Sequence, residues 1–192
     1  ASAKPFFTHH NALDIECNLR IATECHLKQC IGAGIDRVFE LGKDFRNEGM
    51  DPSHLQEFTQ VEWYASYWNF EDNIKFFQTM LTSLMQECLG TTKINYQGQE
   101  IDFGGQWPRI DYVARMRELL GCDFLSIDNV DELKKIVVDR GLFGYTELEE
   151  CKTVRTLIDY VYKRKIRADI VNPTILYNYP ASLIPLARRN DK

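Results

Sequence analysis

The stretch that most constrains the fold runs from Asp36 to Ser66. Two strand-like runs, Asp36 to Phe45 and Glu57 to Ser66, flank a polar loop that carries Gly49 and Pro52. Runs of this length around such a loop predict a long antiparallel hairpin. Side chains alternate across a strand, so Glu62 and Tyr64, two apart, share one face, while Arg46 closes the outgoing run. An arginine, two glutamates and a tyrosine gathered on one sheet add little to a structural protein. They suit a site for a charged ligand.

Composition narrows the setting of that hairpin. A chain of 192 residues with 44% hydrophobic content is long and apolar enough for one domain with a real core. A net charge of -5 and a pI near 5.4 give no electrostatic footprint for nucleic acid, so any RNA contact is local or lies on another part. The six cysteines, at 17, 25, 30, 88, 122 and 151, form no Cys-x-x-Cys pair and predict reduced thiols in a cytosolic protein. No apolar run approaches the ~18 residues of a membrane helix, and no signal peptide opens the chain. The expectation is a soluble, intracellular, cytoplasmic protein with no membrane partner.

Along the chain, Pro5 to His10 predicts a short strand, and Asn11 to Ala22, with Leu19 and Ile21 in alternation, a second one. His9-His10 has no partner cluster at ligand spacing, so no metal site is expected there. Thr23 to Ile31 predicts a helix with Thr23 as N-cap, Leu27 and Ile31 on one face, and Gly32 to Gly34 as its end. Glu24 falls in its first turn, where a carboxylate meets the positive end of the helix dipole. The strongest helical pattern is Phe70 to Leu89, capped by Asn69, whose stripe of Phe70, Ile74, Phe77, Leu81 and Leu84 predicts a core face.

Beyond it, Gly98 centres a small hairpin, and helices are predicted near 111–120, 129–140 and 153–167, then a strand at Thr174 to Tyr177. The helix at 153–167 turns Val154, Leu157, Ile158 and Val161 inward; its basic end at Lys163, Arg164, Lys165 and Arg167 reads as a solvated helix terminus, not an RNA surface. The predicted class is α+β, a mostly antiparallel sheet around the 36–66 hairpin backed by the helices at 23–31 and 70–89. Strands and helices do not alternate regularly enough for a doubly wound parallel sheet.

The residues of the central stretch also carry a resemblance. Phe45-Arg46-Asn47-Glu48-Gly49, His54, Glu57-Phe58-Thr59, Glu62 and Tyr64 stand at the spacing of motif 2 of the class II aminoacyl-tRNA synthetases, and within that class the stretch resembles the lysyl enzymes. A second segment, Tyr179-Pro180 followed by Pro185-Leu186-Ala187-Arg188, is similar to another part of the same family. The chain departs from the family at three places. Leu55-Gln56 replaces Asn-Pro, Thr23 replaces the proline of Ala-Pro-Glu-Leu, and Ala181-Ser182-Leu183-Ile184 replaces Ala-Glu-Val-Ser.

The resemblance implies a class II synthetase-like antiparallel sheet flanked by helices. It divides the chain into core at 1–69 and 171–192, with a helix plus a helical insertion at 70–170. No motif 1 or motif 3 stands in the sequence, so the resemblance reads 1–192 as the central part of a catalytic domain, inactive or weakly active alone. The implied chemistry is activation of lysine by ATP to lysyl-adenylate, then transfer to tRNA(Lys). Arg46 is the implied catalytic residue, stabilising charge on the α-phosphate. Arg46, Glu48, His54 and Phe58 are implied to bind ATP, and Glu24, Glu62 and Tyr64 lysine. Mg²⁺ is implied for the complete enzyme, with its ligands outside this chain, as is a homodimer formed through motif 1. Two alternatives stay open: a paralogue that lysylates a protein, and a non-catalytic lysine- or nucleotide-binding module built on the same core.

Overall fold

The computed structural model describes residues 3–49, 51, 54–184 and 187–188. The chain packs as two compact units, Ala1–Asn73 and Ile74–Lys192. Its class is mixed helix and strand, and the strands form four separate two-stranded ladders among the described residues. Three are antiparallel and one is parallel. Of the mostly antiparallel sheet expected around the 36–66 hairpin, the described residues show the hairpin's own antiparallel pair and three further ladders.

The first unit opens with β1 (Phe7–His10) paired to β2 (Ile15–Asn18). The strand predicted to reach Ala22 stops at Asn18, and Leu19 and Ile21 lie beyond it. The backbone there is spent elsewhere: the Arg20 carbonyl accepts from the Phe45 amide at 2.9 Å. Next comes α1 (Glu24–Gly32), with Leu27 as its buried residue. Thr23 precedes the helix but does not cap it with its side chain. The central hairpin is as expected, β3 (Arg37–Phe45) against β4 (Glu57–Ala65) through nine register pairs, from Arg37–Ala65 to Phe45–Glu57.

Alternation gives that hairpin two unlike faces. Glu40, Gly42, Asp44, Phe58, Gln60, Glu62 and Tyr64 line the half-buried one, against which α1 packs. The opposite face carries Phe39, 70% exposed, and Leu41, 67% exposed. The polar face is thus the inner one, the reverse of an ordinary surface hairpin.

Helix α2 (Phe70–Leu89) begins under an Asn69 cap whose Oδ1 accepts from the amides of Glu71 and Asp72 at 2.8 and 3.1 Å. Its predicted core stripe is not buried: no residue of α2 is, and Phe70 and Leu84 are half exposed or more. Periodicity marks an apolar face but not what covers it.

The second unit holds the core. β5 (Lys93–Tyr96) and β6 (Gln99–Asp102) close through Gln97-Gly98, both at positive φ, the geometry a two-residue hairpin turn requires. β7 (Arg109–Asp111) runs into α3 (Tyr112–Leu120), followed by α4 (Val130–Asp139), α5 (Val154–Lys165) and β8 (Ile175–Tyr177), which pairs in parallel with β7. Met116, Leu120, Leu133, Val137, Leu157 and Val161 interlock between the three helices, with Phe124 and Leu148 from single-turn 3₁₀ segments. Each helix has a side-chain cap, from Asp111, Asn129 and Thr153 in turn. The basic end of α5 is occupied locally. Lys163 pairs with Asp159 at 2.7 Å, Arg164 lies over Tyr160 and Lys165 over Phe143.

Candidate functional site

The candidate site is the inner face of the β3–β4 hairpin. Glu62 is its centre. One carboxylate oxygen accepts from the Tyr64 hydroxyl at 2.7 Å, and the other accepts from the Thr23 hydroxyl and the Gln60 amide, each at 3.1 Å. All three donors are neutral, and Glu62 makes no ion pair among the described residues. A half-buried carboxylate held in place by dipoles keeps its charge available to an incoming cation. Tyr64 is a durable donor: burial first, then its bond to Glu62, push its pKa above the ordinary tyrosine value.

Arg46 does not neutralise Glu62. Its Nε donates to the Ile21 carbonyl at 3.2 Å, and its guanidinium lies 5.2 Å from the centre of the Phe58 ring. An ion pair between Arg46 and Glu62, the simplest structural use of both charges, is not made. The guanidinium is instead held against an aromatic ring at the mouth of the loop, with donors left for an anion.

Glu24 stands in the first turn of α1 as expected, and there it accepts from Lys28, one turn on. The same ammonium lies 5.8 Å from the centre of the Tyr64 ring. Its pKa is raised, chiefly by the hydrogen bond to Glu24. The loop between the strands is closed by the Arg46 amide on the Gln56 carbonyl at 2.8 Å. Glu48 and His54 are both exposed on it, and His54 Nδ1 meets Asp51 Oδ2 at 2.7 Å. Met50, Pro52 and Ser53 lie outside the described residues. The structure therefore gathers Glu24, Arg46, Phe58, Glu62 and Tyr64 on the hairpin face and the helix packed on it, and sets Glu48 and His54 on the loop beyond.

The whole chain, residues 1–192, matches the family model of the tRNA synthetases class II (D, K and N). The chain belongs to that family. It is similar along its length to proteins named lysine–tRNA ligase. The one from Nostoc punctiforme is 39% identical over 98% of this chain and 33% of the relative. Those from Clostridium kluyveri and Bacillus thuringiensis are 40% and 36% identical over all of this chain and 39% and 38% of the relatives. The chain thus spans between a third and two fifths of the curated relatives it matches.

Within this class II synthetase chain, two of the departures from the family pattern acquire a local use. Thr23, in the place of a proline, supplies one of the three hydroxyl or amide donors to Glu62. Gln56, also in the place of a proline, donates its side-chain amide to the Glu48 carbonyl at 3.1 Å and so ties the loop across its neck. For Ser182 the structure offers no account, and Pro185 and Leu186 lie outside the described residues. Sequence reasoning passed over Gln60 and Arg20. Gln60 was findable, because it stands two residues before Glu62 and must share its face. Arg20 was not, because nothing local signals that the 19–22 segment lies beside the end of β3.

Proposed function

We propose that this chain is part of a lysine–tRNA ligase, which joins lysine to ATP as lysyl-adenylate and then passes lysine to tRNA(Lys). The observation that carries the reading is Glu62, a half-buried carboxylate with three neutral donors and no counter-ion among the described residues. An ammonium at the end of an apolar stem needs an acceptor once it leaves water, and Glu62 with the Tyr64 oxygen offers two. Relatives that act on an acidic side chain would meet repulsion at such a site. The names of the similar proteins support the same substrate.

In this reading Glu24 takes the α-amino group, releasing Lys28, and Arg46 stands by the substrate carboxylate and the α-phosphate. Charge builds on the phosphate oxygens as the anhydride forms, and a planar guanidinium that never loses its proton is suited to hold it. Phe58 offers a ring face to adenine, Glu48 binds the base and His54 the outer phosphates. Neither a nucleophile nor a general base is required of the protein in this step. Mg²⁺ would neutralise the departing pyrophosphate. Its protein ligands are proposed to lie outside this chain; among the described residues no three or more His, Cys, Asp or Glu side chains stand together as a group that could hold a metal ion. A homodimer, a cytoplasmic setting and a synthetase-type antiparallel sheet, with 70–170 inserted, complete the proposal.

The test is Glu62→Gln. The amide keeps the shape but loses the charge, and it is expected to weaken lysine binding by ~10²-fold or more, corresponding to roughly 3 kcal/mol. ATP binding should hold steady. Equal losses for lysine and ATP would mean that Glu62 braces the hairpin and does not select the amino acid.

A further inference from the structure

Glu62 has a twin. Its register partner across the hairpin is Glu40, on the same face. Side chains of directly opposed residues have Cβ atoms about 4.5–5.5 Å apart, and like charges there repel. A face with two open carboxylates would also offer a ligand cation two places to sit.

Arg20 removes one of them. Its Nη1 is ion-paired with the Glu40 carboxylate, its Nε donates to the Lys43 carbonyl at 2.7 Å, and the same Nε stands 3.4 Å from Asp44. Asp44 is 1% exposed, and neither of its oxygens accepts a hydrogen bond. The guanidinium occupies this place because residue 42 is glycine. A Cβ there would lie 2.2 Å from Arg20 Nη2. Opposite Gly42 stands Gln60, whose amide is turned to Glu62. One carboxylate of the pair is therefore given a cation, and the other a neutral amide.

We propose that Arg20, seated over Gly42, is a positioning residue for specificity: it neutralises Glu40 and leaves Glu62 as the one carboxylate of the pair open to a ligand ammonium. The inference rests on the reading of Glu62 as the ammonium acceptor. Arginine suits the task because it stays charged at every physiological pH, whereas two facing carboxylates without it would repel each other. A purely structural role, tying the 19–22 segment to β3, would need only the Lys43 carbonyl and Asp44.

The discriminating change is Glu40→Gln, which touches neither of those two contacts. Lysine is titrated into the full 192-residue chain, and the backbone amide resonances of Glu62 and Tyr64 are followed by nuclear magnetic resonance. With Glu40 neutral, Arg20 Nε keeps Lys43 and Asp44 while the Nη1 that Glu40 held is freed toward Glu62, and the lysine affinity is expected to fall at least ten-fold while the amide dispersion stays that of a folded chain. Glu40→Asp, which keeps the charge, is expected to stay within three-fold of the parent. A Glu40→Gln chain that binds lysine as the parent does overturns the role of Arg20 and leaves the lysine reading standing. A folded parent chain that does not bind lysine overturns both. If Glu40→Gln fails to fold, Gly42→Ala decides, since its methyl group displaces Arg20 without changing any charge. With both carboxylates open, that variant is expected to bind the dication cadaverine at least ten-fold more tightly than the parent, and unchanged affinity overturns the proposal.

Discussion

At the scale of single residues, the inner face of the hairpin is a problem in keeping one charge useful. Tyr64 contributes by staying protonated. Burial raises its pKa, as it does those of Tyr112 and Tyr179. A group whose pKa is raised by folding adds stability that is fully present below its unfolded value, about 10 for tyrosine, and lost as pH climbs through the folded value. Of the nine tyrosines, these three are expected to ionise last in an alkaline titration followed by tyrosinate absorbance, with stability falling from about pH 10 upward. Ionisation of Tyr64, Tyr112 and Tyr179 together with the other six would contradict their burial. The roles of Glu62 and Tyr64 as face partners were legible because strand periodicity is a two-residue count. That Thr23 donates to Glu62 was not legible, because its obvious local duty was to cap α1, and the competing long-range bond won.

At the scale of elements, what was readable is what local chemistry decides. The hairpin, α2 and the three capped helices fall close to the expected bounds because each carries its own start and stop signals. The cap of α5 is reciprocal: the Thr153 hydroxyl accepts from the Thr156 amide and the Thr156 hydroxyl from the Thr153 amide, both at 3.1 Å. Thr153→Ala is expected to cost about 1 kcal/mol in a denaturant melt. An unchanged midpoint would mean that packing alone fixes the start of α5. What could not be read is which apolar stripe ends up covered. The α2 stripe reads as core in sequence, yet none of it is buried. The α3, α4 and α5 stripes look no more apolar, but most of their residues are buried because they pack in one cluster.

At the scale of the whole molecule, apolar burial is unequal. Among the described residues, the Ala1–Asn73 unit buries one large aliphatic side chain, Leu27, together with Thr23 and Asp44; the rest of the buried set lies in Ile74–Lys192. Leu157→Ala empties the centre of that larger core and is expected to cost about 2–5 kcal/mol, read as a lower melting temperature of the Ile74–Lys192 unit. Loss of the lysine-responsive signals at the same temperature shift would show the two units to melt as one. Burial this uneven has a practical consequence for anyone handling the chain. Far-ultraviolet circular dichroism is dominated by helix, and among the described residues α1 is the only α-helix wholly within the unit that carries Glu62. A preparation can therefore give a sound helical spectrum while its hairpin has opened. Amide hydrogen exchange at β3 and β4, not ellipticity, is the proper certificate that a sample is fit for a binding measurement.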